Sequence, residues 1–356
     1  MANRREFLQN AAGAMAGVAF VGCGLMGAAP ATAQTRRREV VVNGRRVKTV
    51  DVHAHCAFPE AMALMGLKVN PQTQLISNTQ DRIRAMDEQG IDVEALSINA
   101  FWYKADYDVA RQLIKMQNDK LAEVCAAQPD RFVAFATVAL QHPELAVEQL
   151  VYAVKKLGLR GASLGGSIGG LELADPKFHP FWAKVEELGV LVFIHPQQDA
   201  FGPDMRARLN GNGGLINVIG NPLETTIALS HLIFEGTLDR FPGLKICSAH
   251  GGGYLPSYAD RSDAGCVTAP ERCPKPIKKK PTEYLKQLYF DSLVFTPEAL
   301  RHLVAVTGSS QIMMGTDYPF PWTHTSVDHI LNTPGLSDAE RSAMLGDTAA
   351  KLLGIK

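Results

Sequence analysis

Eight short runs rich in β-branched and aliphatic residues recur along the chain, at 47–53, 93–98, 132–138, 161–164, 190–194, 245–249, 288–292 and 311–315. Between most of them lie longer segments with apolar residues at helical spacing, at 79–89, 110–127, 143–157, 177–188, 223–235, 297–306 and, after the last, 338–353. Strands separated by a helix must pair in parallel through crossovers, and eight such units in one domain predict a (β/α)₈ barrel over residues 47–356. A doubly wound open sheet is the rival, but no G-x-G-x-x-G follows the first run where a dinucleotide would sit. With 356 residues, 46% of them hydrophobic and 20% charged, the chain can bury a core of that size. Lys plus Arg and Asp plus Glu number 36 each, which removes the electrostatic case for nucleic acid or an anionic membrane surface as partner.

The first 33 residues do not fit the barrel. Arg4 and Arg5 precede Phe7 and Leu8, an Ala/Gly/Val-rich run covers 11–29, and Ala31-Thr32-Ala33 offers a cleavage site. This pattern is that of a twin-arginine export signal, with an apolar part too weak and Gly-rich for a stable membrane span. Residues 1–33 are therefore set apart as signal and 34–46 as a short linker. The expected location is periplasmic, reached through the twin-arginine export machinery, which carries folded proteins and suits an enzyme that loads its cofactor in the cytoplasm. A lipid attachment at Cys23, in Val21-Gly22-Cys23, is the alternative. The six cysteines, Cys23, Cys56, Cys125, Cys247, Cys266 and Cys273, form no C-x-x-C pair. An oxidising compartment would permit Cys266 and Cys273 to join, but spacing does not establish a bridge and free buried thiols are the expectation.

Polar residues gather at the carboxyl ends of the strand-like runs. His53 and His55 end the first, in "VDVHAH"; His195 ends the fifth, in "VLVFIHP"; His250 ends the sixth, in "LKICSAHGGG"; Asp317 ends the eighth, in "IMMGTDYPFPW". In a strand His53 and His55 share a face, about 7 Å apart. Barrel closure sets strand 8 beside strand 1, so Asp317 falls next to the pair, and strands 5 and 6 present their histidines from the opposite wall. Three imidazoles and one carboxylate suit Zn²⁺, with Mn²⁺ or Fe²⁺ also compatible. His250 is then left as an acid–base group, and Gly251 to Gly253 leave room for substrate or backbone beside it. Long loops at 56–78, 196–222 and 250–283 fall on the same face, which in barrels carries catalysis. Phe58, Trp102, Phe201 and Trp322 are candidates to line a ring-shaped pocket, and His324 lies just past strand 8.

The stretches "VDVHAHC", "SAHGGGYLPSYADR", "YFDSLVFTPEALRHLV" and "MMGTDYPFPW" resemble the amidohydrolase superfamily. Within it the likeness, over residues 48–356, is to the amidohydrolase-related branch that contains α-amino-β-carboxymuconate-ε-semialdehyde decarboxylase and γ-resorcylate decarboxylase. The resemblance implies that His53, His55, His195 and Asp317 bind the metal, that His250 handles protons with Asp317 counted beside it as catalytic, and that Arg261 holds a substrate carboxylate. In some members that arginine reaches across a subunit boundary, which implies a homodimer or higher homo-oligomer. Binuclear relatives carry a carboxylated lysine on strand 4, and "LRGASLGGS" has none, so one ion is expected. Two positions depart from the aminocarboxymuconate pattern: the loop after strand 1 offers only Lys68 where those enzymes have a further arginine, and Gln197 replaces a tryptophan after His195-Pro196. The expected activity is a metal-dependent decarboxylase, a carboxy-lyase, acting on an unsaturated or hydroxy-aromatic carboxylic acid. A metal-dependent hydrolase of a lactone, ester or amide on the same barrel is the alternative.

Overall fold

The computed structural model describes residues 37–68, 79–197, 200–273, 277–322 and 325–356. The segment expected to be an export signal, Cys23 and His324 lie outside the described residues. No helix among the described residues is long and apolar enough to cross a membrane.

Eight parallel strands form the centre: β1 (Val50–His55), β2 (Val93–Ser97), β3 (Phe132–Ala134), β4 (Gly161–Leu164), β5 (Leu191–Ile194), β6 (Lys245–Ser248), β7 (Tyr289–Asp291) and β8 (Ile312–Met313). The order β1-β2-β3 runs in one sheet and β4-β5-β6-β7-β8 in another, every pair parallel. Parallel bridges Ala136↔Ala162 and Ala54↔Tyr318 join the two, and Val52 N donates to Met314 O at 2.9 Å, so the ring closes with β8 beside β1. The crossover helices are α1 (Thr79–Gln89), α2 (Tyr107–Ala127), α3 (Pro143–Lys155), α4 (His179–Leu188), α5 (Asn221–Phe234), α6 (Leu255–Thr268) and α7 (Pro297–Thr307), and the chain ends with α8 (Asp338–Ser342) and α9 (Thr348–Leu353).

Strand alternation sorts the core into two layers. Val93, Ala95, Val133, Phe135, Leu191, Phe193, Cys247 and Met313 point into the barrel, while Leu96, Val192, Ile246 and Phe290 pack outward under the helices. Ala349 and Leu353 of α9 join the inner cluster. In β1 the inward positions begin as Val50 and Val52, and the pairing with β2 shifts between Asp51 and Ala54. That bulge changes the parity of the strand, so His53 and His55 follow Val52 into the interior. His53 accordingly packs its ring edge-on against Phe193, with centroids 5.0 Å apart.

Several expectations are corrected or refined. The segment 250–283, expected as one long loop, contains α6, whose start is hidden in sequence by three glycines and by Pro256 in its first turn. The helix expected over 338–353 is helical throughout but widens into a π turn at Ala343–Asp347, where a Cβ on Gly346 would fall 1.8 Å from Lys48 O. Cys266 and Cys273, expected as free thiols, form a disulfide between the end of α6 and the turn after it, whereas Cys56 and Cys247 are free and buried. Helix α2 also begins three residues earlier than its periodicity predicts, because the Asp106 side chain caps it through Val109 N at 2.9 Å.

Candidate metal centre

At the carboxyl ends of β1, β5, β6 and β8 the five polar residues converge. His53 Nε2 and His55 Nε2 are 2.9 Å apart, and Asp317 Oδ1 lies 3.1 Å from the first and 2.9 Å from the second. The ring centroids of His53 and His195 are 5.0 Å apart, those of His195 and His250 5.3 Å. Ligand atoms of His53, His195, His250 and Asp317 all fall within 4.8 Å of one another. His53, His55, His195 and Asp317 are buried; His250 is partly open.

The outward nitrogens decide what this cluster can hold. His53 Nδ1 donates to Asp291 Oδ2 at 2.6 Å, and His195 Nδ1 donates to the Pro196 carbonyl at 2.7 Å. His55 Nδ1 lies 3.1 Å from Ser97 Oγ, which gives its own proton to Ala54 O. Each Nδ1 thus carries a ring proton, so that a cation at the centre would meet an Nε2 lone pair from every ring. Asp317 Oδ1, buried and without a hydrogen-bond donor, faces those lone pairs. Three acceptors at 2.9 to 3.1 Å repel one another unless a cation lies between them, and a borderline divalent ion is what such a donor set binds.

The titration behaviour points the same way. Without an ion the centre takes its positive charge as a proton on His53, where burial opposes the charge but Asp317 and hydrogen bonds donated to Asp291 and Asp317 outweigh it and raise the pKa to about 10. Burial presses His55 down to about 4 and His195 well below the usual imidazole range. Asp317 stays ionised far below the ordinary carboxylate range, since the His53 charge and the close His250, His53 and His55 nitrogens overcome the cost of burial. The site demands positive charge at its centre.

Backbone strain and a deep polar layer fix this arrangement. Asp317 and His250 both take left-handed φ, 60° and 56°, a conformation costing ~1–3 kcal/mol for a residue with a Cβ. Asp317 N donates to His53 O at 2.8 Å, which ties the eighth strand end to the first. Asp291, at the end of β7, takes four N–H donors: His53 Nδ1, His250 N at 2.9 Å, Gly251 N at 2.7 Å and Leu293 N at 3.1 Å. Burial works against its charge, yet the His53 bond and charge hold its pKa below the usual range. Asp291 stands in "YFDSLVF", where the motif alone assigns it no role; its signal is a carboxylate at an inward position of a strand end. Asp51 plays a related part, accepting from His53 N and from Thr316 N at 2.9 and 3.1 Å. Buried Arg82 donates to His55 O at 2.8 Å and pairs with Glu94 behind β1.

The other expectations fare differently. Gly253 leaves room for backbone, since a Cβ there would stand 2.1 Å from Pro222 O. Arg261 projects from α6, exposed and without a polar partner among the described residues. Lys68 is exposed. Phe58 and Trp102, expected beside a ring, are buried in the outer core, and Trp102 Nε1 donates to Val138 O. Phe201 does line a cavity at the mouth, while Trp322 is exposed.

The family model described as amidohydrolase matches residues 50–355. The chain belongs to this amidohydrolase family. Among curated relatives, 2-amino-3-carboxymuconate-6-semialdehyde decarboxylase of Dictyostelium discoideum is 31% identical over 312 residues, covering 86% of this chain and 85% of that protein. Gamma-resorcylate decarboxylase of Polaromonas sp. is 32% identical over 286 residues, 76% of this chain and 85% of that protein. Among solved structures, a dihydroxybenzoic acid decarboxylase from Polaromonas sp. with bound manganese and the inhibitor 2-nitroresorcinol superposes with a TM-score of 0.76 at 29% identity, covering 87% of this chain and 97% of that one. This amidohydrolase barrel thus stands in the branch with decarboxylases, as the motifs implied.

Proposed function

We propose that the chain is a metal-dependent carboxy-lyase that exchanges CO₂ for a proton on a hydroxy-aromatic or similarly unsaturated carboxylic acid. The observation that carries the reading is the triangle of His53 Nε2, His55 Nε2 and Asp317 Oδ1 at the mouth of a barrel whose relatives are decarboxylases. In this reading His53, His55, His195 and Asp317 hold one divalent ion, Zn²⁺ by the donor set, with Mn²⁺, present in the Polaromonas relative, and Fe²⁺ compatible. Such an ion supplies Lewis acidity and an anchor for anionic oxygens.

The remaining steps fall to side chains. His250 stands at the rim with Nε2 3.6 Å from Asp317 Oδ2 and with Nδ1 buried and without a partner. It delivers a proton to the ring carbon as the C–C bond to the carboxylate breaks, so that the bonding pair stays on carbon and CO₂ departs. Asp317, ionised and touching that side, steadies the imidazolium. Arg261, exposed on α6, neutralises a carboxylate of substrate bound to a neighbouring copy, which makes a homo-oligomer the working form. Residues 1–33 direct the folded enzyme through twin-arginine export to the periplasm.

The test is turnover of hydroxybenzoates by metal-loaded protein in D₂O. The expected result is one CO₂ released per molecule and one deuterium at the carbon that lost it. Release of no CO₂, together with opening of lactones or esters and uptake of ¹⁸O from water, would replace this reading with the hydrolase.

A further inference from the structure

Loops following β2, β4 and β5 enclose a cavity of about 370 Å³, with Phe101, Tyr103, Gln197 and Phe201 in its wall. That volume lies within the ~300–1,000 Å³ of small-molecule sites. Gln197 stands two residues after His195, so the cavity borders the turn that carries a histidine of the metal cluster.

Gln197 is held on three sides. Its backbone N–H donates to Glu224 Oε2 at 2.7 Å, and its Nε2 donates to Ser167 O at 2.5 Å. The second bond fixes which end of the carboxamide is nitrogen. It leaves Oε1 an acceptor that no donor among the described residues meets. The carboxamide also lies against Gly165, where a Cβ would come within 2.8 Å of its carbon. Gly165 is in turn the contact of the second polar group, because its N–H donates to Tyr103 Oη at 2.9 Å. That bond uses a lone pair of the phenol and leaves its proton to be given. A fixed acceptor and an available donor therefore meet at one glycine, in a wall whose apolar part is the rings of Phe101 and Phe201.

A hydroxyl matches such a pair, giving its proton to Gln197 Oε1 and accepting from Tyr103. A methoxy group can only accept, and a carboxylate would set its anion against the Gln197 oxygen. We propose that Gln197 and Tyr103 form a specificity-determining subsite that reads a hydroxyl on the substrate ring. This deepens the decarboxylase reading and rests on it. Glu224, buried and bonded to the Gln197 amide, is a positioning residue for the subsite.

The test uses full-length, metal-loaded protein and calorimetric dissociation constants for 2-nitrophenols, in which nitro replaces the carboxylate. Each carries a second hydroxyl at one of the remaining ring positions and is compared with its methoxy counterpart. At one position the wild type should prefer hydroxyl by about five- to tenfold, the scale of one neutral hydrogen bond. Gln197→Met and Tyr103→Phe should each bring that ratio below about twofold with metal content unchanged. A preference that survives Gln197→Met, or its absence at every position in a wild type that does release CO₂ from hydroxybenzoates, overturns the subsite alone. Loss of metal from Gln197→Met also overturns it, by making the residue a support for His195. If the wild type decarboxylates no aromatic acid, the subsite falls together with the reading beneath it.

Discussion

Asp291→Asn separates a carboxylate that sets the tautomer of His53 from one that merely fills space. Oδ2 serves His53 Nδ1 and His250 N, at 2.6 and 2.9 Å, while Oδ1 serves Gly251 N and Leu293 N, at 2.7 and 3.1 Å. An asparagine can keep an oxygen on one side only. With the oxygen toward Gly251, its NH₂ faces His53, whose proton must move to Nε2 and point into the triangle with His55 and Asp317, and the His250 amide loses its acceptor. With the oxygen toward His53, the Gly251 and Leu293 amides lose theirs. A buried N–H without an acceptor costs ~1–3 kcal/mol, so either orientation should lower the stability of the metal-stripped protein by at least about that much. Partners behind metal-binding histidines are worth ~10–100-fold in metal affinity, or ~1.4–2.7 kcal/mol, and a histidine turned to the wrong tautomer belongs at the upper end. Competition with a chromophoric chelator measures the first quantity, and urea unfolding of the stripped protein measures the second. An Asn variant with wild-type metal affinity and a wild-type urea midpoint would refute the role given to Asp291.

Four further outcomes are expected. His53→Ala and His55→Ala should each lower bound metal, measured by elemental analysis, and abolish turnover, while His250→Ala keeps the metal and loses on the order of 10²-fold or more in rate; equal metal loss in His250→Ala would make it a ligand. Burial raises the Glu224 carboxyl to about 8, so the folded state binds a proton that the unfolded chain has released above about 4.5, and the stability it contributes is complete below that lower pH and lost as pH rises through about 8. Gln at that position cannot titrate, so thermal unfolding of Glu224→Gln should fall less between pH 5 and 8 than that of the wild type; parallel curves would contradict this. Arg261→Ala, on an exposed face, should leave the melting temperature within a degree or so and raise KM by about tenfold, with Lys restoring only part, because an ammonium cannot reproduce the guanidinium fork; an unchanged KM removes it from the substrate site. Replacing Arg4 and Arg5 with Lys should leave the precursor uncut in the cytoplasm by fractionation, and unaltered export would end the twin-arginine reading.

The chain's own order of residues was enough for the barrel, because strand and helix periodicities are local properties and parallel pairing follows from their alternation. It was enough, too, for the five polar strand ends, since all strands of a closed parallel barrel point their carboxyl ends at one mouth. What local pattern could not carry was any relation between distant elements. Asp291 became legible only when β7 came to rest behind a histidine 238 positions earlier, and its bond to that ring decides which nitrogen faces the centre. The change of parity in β1 depended on how that strand registers with β2, and α6 was hidden because the glycines before it, which look like a loop, are required by the close approach of Val294, Phe290 and Pro222 O. The cavity beside His195 is built by three loops that share no sequence neighbourhood, with Gly165 as their meeting point. Tertiary structure decided these because hydrogen bonds and close contacts act through a few ångströms of space, whatever the length of chain between the groups they join.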